Sequence, residues 1–176
     1  MESKLDVFKK WGLSEEEIWE AFRKYPGVLE ASKEKIAAIM DFLVNEMGFR
    51  TSTITFHPTI FARSLEKRIA PRGLFALDLL SRGFIKDLSL GTIFSTSEKA
   101  FVQKLINQYK DKAPELLKLY EEKLESAVRG KYKIEPVRDG HKFESRLAKD
   151  LTPFSSITVL FQVVKIKLAA GAALSL

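Results

Sequence analysis

Apolar residues near the start of the chain recur at helical spacing and are punctuated by stop signals. Ile18, Ala21 and Phe22 fall on one face of a segment opened by Ser14, with Glu17 three residues on as the partner of a capping box. This pattern predicts a helix from about Glu15 to Lys24, ended by Pro26. A short turn then carries Val28 and Leu29, and Ser32 can cap a second helix. In that helix Ile36, Ile39, Met40, Leu43 and Met47 recur three and four residues apart as far as Gly48, a natural C-terminal stop.

The unit comes back. Pro26, Leu29 and Ser32 recur as Pro58, Phe61 and Ser64, shifted by 32 positions at all three sites. The second unit opens near Thr51, passes Pro58, Ile60 and Phe61, and continues from Ser64 as a long helix ending near Gly83, with Ile69, Leu77, Leu80 and Phe84 as its expected apolar stripe. A third, looser copy has a helix opened near Ser95, with Glu98 as capping partner, through Phe101, Val102, Leu105, Ile106 and Tyr109. Pro114, Leu117 and Tyr120 then take the place of the proline turn, without the serine. Each unit alone would expose apolar surface, so the copies must stack. The expected fold is all-α, a solenoid of about three units at about 7–48, 49–84 and 88–126 within a repeat domain of residues 1–130. Within the second unit Pro71 interrupts SLEKRIAPR and predicts a kink.

Composition narrows the class. With 45% apolar and 30% charged residues the chain is globular, and the scarcity of Val/Thr alternation before residue 150 argues against a large sheet. The net charge of +6 is unevenly placed: residues 1–50 carry 8 basic against 10 acidic groups, and residues 51–87 carry 6 against 3. An anionic partner should therefore meet the middle or the end of the chain. The absence of cysteine removes disulfides, zinc-finger ligands and thiol catalysis together. No phosphate-cradling glycine loop or nucleophile motif is present, so the expectation is a non-enzyme without metal, cofactor or small-molecule substrate. His57, Trp11, Trp19 and the run Glu15 to Glu17 read as structural residues. Residues 131–176 form an atypical basic and apolar extension. There ITVLFQVVKIKL alternates Ile166 and Leu168 against Lys165 and Lys167, which suits an amphipathic strand or an irregular extension better than a membrane span.

The ordered series KWGLSEEEIWEAFRKYP, SKEKIAAIMDFLVNEMGF and SLEKRIAPRGLFALDLLSRGFI resembles the mitochondrial transcription termination factor (mTERF) family, in its land-plant branch. SEKAFVQKLINQYKDKAPELLKLYEEKL is similar to the C-terminal end of those plant proteins. The resemblance implies a right-handed superhelix whose units each hold two α-helices and a short 3₁₀ turn. It implies a monomeric, nucleic-acid-binding protein of mitochondria or chloroplasts, acting on double-stranded DNA to regulate transcription or its termination. RNA binding and processing, or a protein-interaction scaffold, are the alternatives. It further implies a transit peptide and more repeats. MESKLDVFKKWG has no apolar core for a leader, so the chain reads as a truncated member, and the extension after Gly130 does not resemble the family.

Duplex nucleic acid is held chiefly by Lys and Arg on phosphates, and a solenoid can offer one set of such contacts per unit. Arg68, Arg72 and Arg82 fall within roughly 80° of one another on a helical wheel, opposite the expected apolar stripe. Arg63, Lys67 and Lys86 lie at the ends of the same element. These six are the candidate nucleic-acid contacts, and the Pro71 kink is expected to lean Arg68 and Arg72 toward the concave side.

Overall fold

Ser3 and Ser14 each accept a backbone N–H from the residue three ahead, and Asp6 and Glu17 answer with their carboxylates, so the first two helices begin at full capping boxes. The structure is a computed structural model and describes residues 3–130 together with Tyr132 and Ile134; the predicted strand and the rest of the extension lie outside the described residues. The helices are α1 (Lys4–Lys9), α2 (Glu15–Lys24), α3 (Lys33–Asp41), α4 (Thr51–Thr55), α5 (Ala70–Ser81), α6 (Glu98–Leu105) and α7 (Leu116–Arg129). Short 3₁₀ turns occupy Pro26–Glu30, Pro58–Ala62 and Asn107–Tyr109, and wider π turns occupy Phe42–Glu46, Leu65–Ile69 and Gly91–Ser95. No strand occurs among the described residues. The fold is an all-α repeat solenoid.

The 32-residue repeat is physical. In each of the first two units a proline opens a 3₁₀ turn, the turn buries Val28 or Ile60, and a serine then caps the next helix by accepting from Lys35 or Lys67 N–H at 3.1 Å. The two turns pack on each other, and Phe8 of α1 meets Phe61 edge-on at 5.2 Å, joining the units in one core.

The third unit departs from expectation. Pro114, Leu117 and Tyr120 do not form a proline turn: Pro114 precedes the first turn of α7, and Leu117 and Tyr120 lie within that helix. Adding 32 to Pro58, Phe61 and Ser64 instead reaches Leu90, Ile93 and Thr96, and the π turn Gly91–Ser95 packs against the second unit's 3₁₀ turn. Leucine replaces the proline, so the copy carries no proline flag. Its helix cap is Ser97, which accepts from Ala100 N–H at 3.2 Å, and not Ser95, which closes the π turn.

Pro71 does not break its helix. Ile69 N–H reaches back five residues to Ser64 carbonyl at 3.0 Å, and Ala70 N–H reaches Leu65 carbonyl, so the chain is widened by a π turn immediately before the proline. The wider turn relieves the clash between a proline ring and the carbonyl four residues back, and Pro71 then sits in the first turn of α5, where its missing N–H costs little. At the far end Gly83, at φ +78°, closes a Schellman turn in which Phe84 N–H bonds Leu79 carbonyl at 2.9 Å and Gly83 N–H bonds Leu80 carbonyl at 3.1 Å.

The buried face of this helix is also not the expected one. Ile69 is buried, but Leu77, Leu80 and Phe84 are only partly covered; Leu65, Ile69, Arg72, Ala76 and Leu79 form the interior stripe, with Phe75 beside it. These positions step by four and three, so the stripe is regular except that its centre is an arginine.

Candidate nucleic-acid interface

Arg72 is the largest fully buried side chain among the described residues, at 0% exposure. Three hydrogen bonds compensate its desolvation. One nitrogen, Nη1, donates to the carbonyls of Ile93 at 3.1 Å and Thr96 at 2.9 Å, and Nη2 donates to Glu98 Oε2 at 2.5 Å. The guanidinium also lies 4.5 Å from the centre of the Phe101 ring. Tyr120 closes the network by donating its hydroxyl to Glu98 Oε1 at 2.9 Å, and its ring packs with Phe75 and Phe101 at 5.3 and 5.1 Å. Arg72 therefore ties α5 to the Gly91–Ser95 turn and to α6, and the Glu98–Tyr120 bond ties α6 to α7.

Arg68 belongs partly to the same joint. It is half-buried and donates through Nη2 to Thr96 carbonyl at 2.5 Å. Burial, then the like charges of Arg72 and Arg63, holds its guanidinium below the ordinary value, with Glu98 and Tyr120 acting against them. The Nε atoms of Arg68 and Arg72 have no partner among the described residues.

Two titrations report on this joint. Burial pushes the Glu98 carboxyl up, but hydrogen bonds from Arg72 and Tyr120, with the charges of Arg72 and Arg68, outweigh it and hold the group below the usual glutamate value. Burial, followed by the bond to Glu98 and its charge, pushes the Tyr120 hydroxyl up to about 12. A depressed carboxyl contributes stability above its unfolded value of 4.5 and loses it as pH falls through the lower folded value. The stability difference between wild type and Glu98→Gln should therefore narrow steadily below pH 4.5 in urea unfolding, and a difference constant from pH 7 to pH 3 would contradict the network.

The six expected contacts thus divide. Arg72 is withdrawn from the surface altogether, contrary to its expected place on an exposed face, and Arg68 is largely engaged inside. Arg63, Lys67, Arg82 and Lys86 are exposed. Arg63 and Lys67 stand at the start of the long helix and Arg82 and Lys86 beyond its end. Lys67 and Arg82 are fifteen helical steps apart, about 22 Å, so these groups form two clusters. Arg82 meets Glu115 at 3.4 Å, but both side chains are about half-exposed, a pairing that contributes little and yields readily to a phosphate. The clue to Arg68 and Arg72 lay in the repeat: subtracting 32 maps them onto Ile36 and Met40, both fully buried.

The stacked helix-turn-helix units define a helical-repeat protein; among the described residues no group of metal-binding side chains occurs. The mTERF family profile matches residues 1–102, more than half of the 176, and the chain belongs to that family, known as organellar nucleic-acid-binding transcription regulators. The Arabidopsis thaliana protein named transcription termination factor MTEF18, mitochondrial, is 30% identical over 106 residues, which are 60% of this chain and 19% of that protein. The chain thus spans about a fifth of the length of this curated relative. No solved structure matches it.

Proposed function

We propose that the chain binds double-stranded DNA in an organelle and regulates transcription there, including its termination, by occupying and deforming the duplex without a cofactor. Membership of the mTERF family carries this reading. The name of the Arabidopsis relative supports a mitochondrial site of action and a role in termination. Among the described residues no helix is long and apolar enough to cross a membrane. Arg63, Lys67, Arg82 and Lys86 supply the phosphate contacts, while Arg72, and with it Arg68, holds the second and third units in register. Site preference would come from duplex deformability more than from base-edge contacts.

A gel-shift titration of a random-sequence DNA duplex tests the reading. Binding at low salt should weaken steeply as salt rises, and replacing Arg63, Lys67, Arg82 and Lys86 together by alanine should flatten the log–log slope by about 3.6, at 0.9 per lost phosphate contact. Arg72→Met should leave the slope unchanged. No binding at low salt would sink the reading, and binding to RNA alone would replace DNA by RNA as the partner.

A further inference from the structure

Beyond α7 the chain returns to the first unit. α7 runs back along α5, with Glu115 beside Arg82 at its start and Lys123 on Asp78 at 2.8 Å further along, and it packs on the Leu65–Ile69 turn. It ends at Gly130, where a Cβ would lie 3.2 Å from the Ser126 carbonyl oxygen, so the chain leaves the helix by a close approach that suits glycine. Tyr132 then meets residues of the first unit: its hydroxyl donates to Glu46 Oε2 at 2.7 Å, and its ring stands edge-on to Phe42 at 5.4 Å. Ile134 lines one groove with Ser32 and Lys35 of the first unit and Ser64, Leu65 and Glu66 of the second. Tyr132 and Ile134 thus act as a strap from the last helix to the first unit.

The strap lies where a partner would be expected. Ser64 and Glu66 fall between Arg63 and Lys67 in the chain, so the groove that Ile134 occupies opens beside one of the two exposed basic clusters. Its grip there is modest. Apart from Leu65 the other residues lining the groove are polar or charged, so an isoleucine gains less apolar contact in it than in the core. Burial also pushes the Lys35 ammonium in this groove down, which an entering anion would reverse and an isoleucine does not. Tyr132 and Ile134 are themselves only partly buried, whereas Phe42 beneath the tyrosine is 1% exposed, so the strap can lift while the core stays closed. Residues 1–102 carry the family match, and the strap lies beyond them.

We propose that Tyr132 and Ile134 form an autoinhibitory strap: closed, it fills the groove beside Arg63 and Lys67, and open, it frees that groove for a nucleic-acid backbone. It rests on the nucleic-acid reading above and adds a means of regulation to it. Gel shifts of the full 176-residue chain on the random-sequence DNA duplex test it. An open state populated at about 10% or less lowers apparent affinity by about tenfold or more, so Tyr132→Ala with Ile134→Ala should bind at least about tenfold tighter than wild type. Tyr132→Phe, which loses the bond to Glu46 and keeps the ring, should show part of that gain. A strap that served stability alone would lower the melting temperature with no gain in affinity. Because the chain holds no cysteine, Glu46→Cys with Tyr132→Cys can be joined specifically by a short bismaleimide. The joined chain should bind about tenfold more weakly than the same variant unjoined, a comparison in which the substitutions cancel. Circular dichroism melting checks that each variant is folded. Equal affinity of wild type and the double alanine variant, or of the joined and unjoined chains, would overturn the strap and leave the function standing. If neither wild type nor the released chain binds the duplex at low salt, both fall together.

Discussion

Replacing Arg72 by alanine is expected to lower folding stability by about 3–5 kcal/mol, a large share of what a domain this size possesses. Alanine removes a fully buried side chain packed on Phe101, leaves a cavity, and takes the Arg72 bond from the carbonyl of Ile93, while that of Thr96 keeps only Arg68. Glu98 is 55% exposed, so its carboxylate can return to water and adds little to the loss. The converse change should hurt for a different reason. Glu98→Ala leaves a buried guanidinium with only carbonyl partners, a buried charge without a counter-charge. Arg72→Met should recover part of the alanine loss, because methionine refills the space and is the residue at the equivalent position in the first unit, Met40, buried at 0% exposure. Urea unfolding followed by far-UV circular dichroism gives the ordering: wild type most stable, methionine next, alanine least. An alanine variant within about 0.5 kcal/mol of wild type, as for an ordinary surface residue, would mean that Arg72 faces water, as its charge alone suggested.

Arg72 also shows why part of this fold was legible in the sequence and part was not. The capping box of Ser14 and Glu17, the caps at Ser32 and Ser64, the turns at Pro26 and Pro58 and the stops at Gly48 and Gly83 all stand where local pattern places them. Each is decided within about five residues of its own backbone, so neighbouring sequence carries the cause. The face of the long helix is decided elsewhere, by Ile93, Thr96 and Glu98, more than twenty residues away. A wheel that sends every charge to solvent cannot see those partners. The π turn at Leu65–Ile69 has the same character: Pro71 announces a conflict with helix, and the chain accommodates it by widening the turn immediately before the proline. The turn of the third unit was misplaced because Leu90 stands where Pro26 and Pro58 stand, and the next proline along the chain, Pro114, belongs to the start of the following helix. For the candidate site the consequence is direct. Local pattern found the basic helix, and the packing of Arg72 and Arg68 against the third unit divides its charges into those that hold the units together and those left exposed.

The second large effect is expected at Gly73, where helix propensity and packing predict opposite signs. Alanine in place of glycine within a helix ordinarily stabilises by about 0.5–1 kcal/mol. At Gly73 a Cβ would lie 2.7 Å from Cε1 and Cζ of Phe42 and 3.0 Å from Met47 Sδ, well inside contact distance. Neither neighbour is free to retreat: Phe42 and Met47 are 1% and 2% exposed, and Tyr132 stands edge-on against Phe42 at 5.4 Å while its hydroxyl bonds Glu46 at 2.7 Å. The missing side chain is thus what lets α5 approach the Phe42–Glu46 turn of the first unit. Overpacking of this kind costs about 1–3 kcal/mol, so Gly73→Ala should be destabilising by about 1–2 kcal/mol after the propensity gain is deducted. Phe42→Leu removes the ring atoms that the new methyl would strike. The Gly73→Ala and Phe42→Leu pair should therefore lose less than the sum of the single losses, by about 1 kcal/mol in a double-mutant cycle of urea midpoints. Simple additivity would show that the first two units can part to admit a methyl group, and that the close approach at Gly73 does not set their spacing.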